Sequence, residues 1–317
     1  SELNFDRMYD RLGIGIHRVP AILLWFFAAV LSANCEIRSD STSPPHHLPA
    51  GNSYQLGSNL VQECVETFDS KVDYFPEKTA LEYAGNFTVE YHRSYKLVTV
   101  IEPFPGSDPE SYVLLQCGAP LPDLPDEFEN FQLIRLPVDQ IYLDSTTAIP
   151  SLVDLEALDN LKGLRGTRFV TTQSVRERIE KGLIVEYAPA FEIDLETVIQ
   201  GSPQMLMTDG FNDPAYPKLR NAGIPVVANA DWLESTPLGR AEWVKFIALF
   251  FNREERADKL FRNISESYEN FVAKVNTVSF RPRVIAGHTF SGTWYAPGGD
   301  GFVASIIRDA GGDYILA

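Results

Sequence analysis

Between Arg168 and Ala228 short β-branched runs alternate with short helical runs, and no other feature of the chain restricts its fold as much. Arg168 to Thr171 reads as a strand and Val175 to Lys181 as a helix. Asp194 to Gln200 reads as a helix, Gln204 to Thr208 as a strand, Pro214 to Ala222 as a helix stopped by Gly223, and Ile224 to Ala228 as a strand. Such alternation makes βαβ units and a largely parallel sheet, whose ligands sit outside the carboxyl ends of the strands. Upstream, Phe87 to His92 alternates apolar and polar residues and Lys96 to Glu102 is β-branched, which predicts a strand pair around Arg93-Ser94-Tyr95. Tyr112 to Cys117 and Phe131 to Val138 read as further strands, separated by a proline-rich loop from Pro120 to Pro125. Ser151, with Asp154 three residues on, predicts a capped helix from Ser151 to Asn160.

Thr236-Pro237 opens a helix with proline at a permitted first position, and the helix runs through Trp243 and Phe246 to Phe251. Asn252 and Glu255 form a second capping box. Phe261, Ile264, Tyr268, Phe271 and Val275 follow at spacings of three and four, an apolar stripe on one long helix. At 1.5 Å per residue it is about 35 Å long, enough to lie along two lobes and join them. Beyond it Arg283 to Gly287 reads as a strand, Gly301 to Ala310 as a helix ended by Gly311-Gly312, and Tyr314 to Leu316 as a strand. That is the start of a second α/β lobe, with about one βαβ unit and too little core to stand alone. The expected fold is α/β: a first lobe over residues 58–251, an inter-lobe helix over 252–278, and a truncated second lobe over 279–317. Ser1 at the head and a strand-like ending at Tyr314-Ile315-Leu316-Ala317 make the chain read as a fragment.

At the other end, Arg11, His17 and Arg18 precede an uncharged apolar run from Val19 to Ala33. A basic start, a short apolar stretch and small residues before a cut site describe an export signal. The run is shorter than the ~20 residues that a spanning helix needs. Leu31-Ser32-Ala33-Asn34-Cys35 resembles a lipobox, the signal for lipid attachment to the cysteine, with Asn34 where Gly or Ala is usual and Leu31 one place early. An uncleaved anchor and a buried helix are the other readings of this segment. Residues 1–35 are read as the export signal and 36–57 as a polar, proline-rich tether in which His46-His47 is solvated. If Cys35 carries lipid, Cys64 and Cys117 are left to form one disulfide; the other reading is two unrelated buried thiols. The net charge of −16 argues against a nucleic-acid partner and against the folded part lying flat on an anionic membrane, which leaves the lipid as its contact with a membrane.

No cofactor or catalytic motif is present: there is no P-loop, no GxGxxG, no HExxH and no GxSxG. His288-Thr289-Phe290-Ser291-Gly292 puts a histidine near a serine, and an exported α/β hydrolytic enzyme using His288 and Ser291 is the competing reading. A catalytic pair also needs an orienting group and an oxyanion hole, which neighbouring loop positions rarely supply. A bare-metal site needs several histidines with carboxylates, and the folded part has only His92 and His288. No catalytic residue, resident metal or cofactor is therefore assigned. The expected strand ends carry glycine-rich, aromatic loops instead: Glu102 to Ser107, Asp209-Gly210-Phe211, Asn229 to Trp232, and Phe290 to Gly299 with Trp294 and Tyr295. Aromatic faces with a few polar groups suit a large, planar, partly apolar ligand such as a chelate or macrocycle. The ligand-binding candidates are Glu102, Phe211, Trp232, Trp294 and Tyr295.

Three stretches carry a family likeness. Asp194 to Ile199 followed by Pro203 to Met207 is the first, and Ala222 to Val227 followed by Thr236 to Trp243 is the second. Gly292 to Gly299 with Asp309 to Gly312 is the third. In this order and spacing they resemble the iron-siderophore and cobalamin class of periplasmic substrate-binding proteins of ABC importers, from about Lys96 to the chain end. The resemblance implies two Rossmann-like lobes joined by a long rigid helix, with a ferric siderophore, haem or cobalamin in the cleft. It implies a monomer outside the cytoplasm whose partners are the importer's membrane subunits. It also implies one carboxylate per lobe docking on those subunits. Glu196 matches in the first lobe; in the second the matching place is Arg308, with Asp309 adjacent.

Overall fold

The computed structural model describes residues 56–124, 131–189, 192–210 and 212–316. Expectations for the export signal, for Cys35, for most of the tether and for Phe211 lie outside the described residues. The predicted strand pair forms as β1 (Phe87–Tyr91) and β2 (Tyr95–Val100), antiparallel with Phe87 opposite Val100. β3 (Glu110–Gln116) adds antiparallel to β2, and β4 (Gln132–Leu136) adds parallel to β3, closing a four-stranded sheet. Cys64 and Cys117 are disulfide-bonded, Cα to Cα 4.9 Å. The bond clips the segment before β1 to the end of β3 and closes a loop of 53 residues, a cross-link worth about 2–4 kcal/mol.

The second sheet is wholly parallel. Its strands are β5 (Ile141–Leu143), β6 (Leu161–Leu164), β7 (Val185–Glu186), β8 (Met205–Thr208) and β9 (Val226–Ala228). They lie in the order β7-β6-β5-β8-β9. Central strands β5 and β8 are buried along their whole length, as a sheet covered on both faces requires. The connecting helices are α1 (Ile149–Asp154), α2 (Gln173–Glu180), α3 (Leu195–Gly201) and α4 (Tyr216–Asn221). Asp194 caps α3 by accepting from the backbone of Glu196 and Thr197.

Three expectations are corrected. The strand expected at Arg168 to Thr171 is a turn; the strand is β6, several residues earlier. Gly163 hides β6 in the sequence, and it is required there because a Cβ would fall 2.6 Å from the Tyr142 ring. The helix expected from Ser151 to Asn160 starts two residues earlier, with Pro150 in its first turn, and ends at Asp154 as the chain turns through Glu156 at φ +56°. Asn252 does not cap the long helix: at φ +55° it turns inward, and Arg253 takes the capping position.

α5 (Pro237–Leu249) begins at the Thr236 cap and is buried almost all round. Phe87, Trp243, Phe246 and Phe250 stack edge-on at 4.8–5.3 Å, and each buried ring contributes roughly 1.5–3 kcal/mol. Two carboxylates on this side of the core hold the segment entering β1. Glu242 accepts from the backbone N–H of Glu82, Tyr83 and Ala84, and Glu234 from Gly85 and Asn86. α6 (Glu254–Val275) is the long amphipathic helix, about 33 Å by its rise. At its start Glu254 ion-pairs with Lys96, both side chains 0% exposed. Lys96 also donates to Leu249 O and Asn252 Oδ1 at 2.8 Å and lies 4.6 Å over the Phe75 ring. Burial lowers the Lys96 pKa, and Glu254 works against that shift.

After α6, β10 (Arg283–Val284) and β13 (Asp313–Tyr314) pair in parallel across α7 (Phe302–Asp309), as one βαβ unit predicts. Between them β11 (His288–Phe290) and β12 (Thr293–Tyr295) form a hairpin where the sequence suggested only a loop. Arg240 of α5 lies 5.0 Å over Phe302, and Tyr268 of α6 donates to Asp309 at 2.7 Å. No helix among the described residues is long and apolar enough to cross a membrane.

Candidate functional site

Four strands of the parallel sheet are followed by a polar residue: Asp144 after β5, Arg165 after β6, Asp209 after β8, Asn229 after β9. Ladder bonds continue one residue past the strands, from Asp144 N to Met207 O, Arg165 N to Leu143 O and Asn229 N to Thr208 O. The backbone therefore delivers these four side chains to the same end of the sheet, the end where parallel sheets bind ligands.

Asp144 organises the cluster. It is 3% exposed and accepts from three side chains. Arg165 Nη1 donates to both of its oxygens at 2.9 and 3.0 Å, Tyr216 Oη to Oδ2 at 2.6 Å, and Tyr187 Oη to Oδ1 at 3.2 Å. Arg165 reaches a second carboxylate, Asp213, at 3.3 Å and is 28% exposed. Burial would lower the Arg165 pKa, but the charge and hydrogen bonds of Asp144 outweigh it and hold the guanidinium above its ordinary range. Burial and the Asp144 charge both push the hydroxyls of Tyr216 and Tyr187 up. Both tyrosines are thus neutral donors and Arg165 is a fixed cation.

Two cavities meet over this cluster. Asp144, Arg165, Asp209, Asn212, Asp213 and Tyr216 line one of about 240 Å³. The other, of similar size, shares Asp144 and Arg165 and extends past Ser145, Arg168 and Phe169 to Glu186 and Pro189. Arg168 lies 4.3 Å over the exposed Phe169 ring, an aromatic and a guanidinium side by side at the mouth. Together the cavities approach the size of small-molecule sites, roughly 300–1,000 Å³. Among the described residues no group of three or more His, Cys, Asp or Glu is placed to hold a metal ion.

Of the residues singled out from sequence, Trp232 and the Glu102 loop are brought to the strand ends. Trp232 Nε1 donates to Asp209 O at 2.7 Å, and Pro103 O lies so near Gly210 that a Cβ there would be 2.3 Å away. The Glu102 carboxylate accepts from Gly106 N at 2.6 Å, closing its own loop. Trp294 and Tyr295 sit on the β11–β12 hairpin, each 49% exposed, with His288 stacked on Tyr295 at 5.7 Å. None of Glu102, Trp232, Trp294 and Tyr295 is among the residues lining the two cavities. Ser291 occupies the hairpin turn at φ +48°, and no hydrogen bond joins it to His288. Glu196 is exposed in the first turn of α3, with Gln200 donating to it at 2.9 Å. Asp144 and Arg165 were not singled out from sequence because β5 and β6 were not. The usable signal was the first polar residue after each short apolar run.

A family model described as periplasmic binding protein matches residues 154–317, just over half of the chain. An uncharacterized lipoprotein of Methanocaldococcus jannaschii is 25% identical over 259 residues, 74% of this chain and 61% of that protein. A second uncharacterized lipoprotein of that organism is 24% identical over 268 residues, 81% of this chain and 66% of its own length. The crystal structure of a periplasmic binding protein from Veillonella parvula superposes with a TM-score of 0.51 at 14% identity, covering 69% of this chain and 65% of that one. The chain therefore spans somewhat under two thirds of the length of these relatives.

Proposed function

This chain belongs to the periplasmic binding protein family, and on that premise we propose that it is an extracytoplasmic solute-binding protein that captures an iron chelate, or a related complex such as haem or cobalamin, and hands it to an ABC importer. The observation that carries the reading is the pair of cavities at the carboxyl ends of the parallel strands, built around Asp144 and Arg165. Arg165 supplies a fixed cation, Phe169 supplies an aromatic face, and Trp232 stands behind the strand ends. Trp294 and Tyr295 meet the ligand from the second lobe. Glu196 and Asp309 dock on the importer's membrane subunits; Glu196 is exposed for this, and the Tyr268 hydroxyl fixes the Asp309 carboxylate. A lipid on Cys35 tethers the monomer, in keeping with relatives that are named lipoproteins.

The test is an equilibrium titration of the folded chain with ferric siderophores, haem and cobalamin, followed by tryptophan fluorescence. Saturable quenching by one class with sub-micromolar affinity, about −8 kcal/mol or better, is expected. A folded chain that responds to none of them is not a chelate carrier.

A further inference from the structure

The charge around the first cavity extends this reading, on which it rests, to the kind of chelate carried. Among the described residues that line that cavity three are carboxylates, Asp144, Asp209 and Asp213, and one is a cation, Arg165. Arg165 is already held by two of them, through Asp144 and through Asp213 at 3.3 Å. One guanidinium among three carboxylates leaves an excess of negative charge in a half-enclosed site, where a low-dielectric wall strengthens its field. The second cavity adds no bias, because its described lining holds two cations, Arg165 and Arg168, and two carboxylates, Asp144 and Glu186. Beside these strand ends, though not among the described residues lining either cavity, a buried acceptor is also left open. Asn229 is 4% exposed, its backbone is fixed beside Asp209 by the bond to Thr208 O, and its Oδ1 accepts no hydrogen bond. A buried acceptor left open is costly unless something donates to it.

We propose that the strand-end site selects complexes presenting a neutral or cationic, hydrogen-bond-donating face and rejects polyanionic ones. Asp209 and Asp213 set this preference, and Asp144 positions Arg165 within it. A ferric trihydroxamate with a free ammonium group meets the requirement, whereas a ferric tris-catecholate, a trianion, is opposed by every carboxylate of the cavity. The chain's overall charge of −16 adds repulsion at long range that salt screens.

The experiment titrates the full chain, at low and at physiological salt, with three ferric complexes of graded charge: a cationic trihydroxamate, a neutral trihydroxamate and a trianionic tris-catecholate. The cationic or neutral complex is expected to bind at least ~100-fold more tightly than the trianion. Asp209→Asn with Asp213→Asn should shrink that ratio by on the order of tenfold per carboxylate. An unchanged thermal midpoint in the double variant excludes misfolding as the cause. Tightest binding of the trianion, or an unchanged ratio in the folded double variant, overturns the charge selection while leaving the carrier reading intact. Binding of none of the three overturns the iron-chelate reading and this inference with it.

Discussion

Two carboxylate–cation pairs occupy opposite situations in this molecule. Lys96 and Glu254 are sealed in the core, and their remaining polar atoms are met by Leu249 O, Asn252 and Asn59. Asp144 and Arg165 are held as tightly on one side, but Arg165 also faces two cavities and shares itself with Asp213. The first pair fixes where β2, the end of α5 and the start of α6 meet. The second places a cation on the lining of two cavities. The same pairing of charges is sealed in the core in one place and borders two cavities in the other, and what separates them is exposure of the cation, 0% at Lys96 and 28% at Arg165.

The largest effect is expected at Lys96. Lys96→Met leaves Glu254 buried without its cation and should cost about 3–5 kcal/mol of stability, read as a lowered unfolding midpoint, with ligand affinity of the folded fraction unchanged. Asp144→Asn should cost less, about 1–3 kcal/mol, since Arg165 keeps Asp213. It should, however, weaken binding by tenfold or more, because Arg165, Tyr187 and Tyr216 lose the group that orients them. Equal losses of stability and affinity in both variants would erase the distinction between the pairs.

A third carboxylate sharpens it through pH. Burial acts to raise the pKa of Glu242, but hydrogen bonds from Lys245 and from the backbone of Ala84, Tyr83 and Glu82 prevail and hold it below its ordinary 4.5. A depressed carboxylate stabilises the fold above its unfolded value and loses that contribution as pH falls through the folded one. Stability should therefore drop on acidification below about 4.5. Glu242→Gln should flatten that limb in urea titrations across pH. The smallest effect on folding is expected at the exposed hairpin: Trp294→Ala should change stability within about 0.5 kcal/mol. Its loss of affinity, if the ring meets the ligand, is read in the same fluorescence titration; unchanged affinity in both Trp294→Ala and Trp232→Ala would remove these rings from the site.

What the sequence made legible follows the strands it made legible. β8 and β9 are apolar, β-branched or Met-rich runs bounded by Pro203 and Gly223, and reading them correctly placed Asp209, Asn229 and Trp232 at strand ends. β5 has three residues and β6 carries Lys162 and Gly163, so neither shows a period, and the Asp144–Arg165 pair that follows them went unseen. Gly163 reads as a breaker until Tyr142 is seen lying against it. The long helix was legible from its stripe, whereas its start was not, because Asn252 serves Lys96, a partner 156 positions away. Loop aromatics were visible as residues, but which of them face a cavity depends on turns that pattern alone does not fix.

The most direct measurement is a crystal structure of the chain grown with a neutral or cationic ferric trihydroxamate. The complex is expected over Asp144, Arg165 and Tyr216 at the carboxyl ends of β5, β6 and β8, with Arg165 drawn from Asp213 toward a ligand oxygen. A bound complex elsewhere, with the Arg165–Asp213 contact intact and both strand-end cavities unoccupied, would contradict that placement.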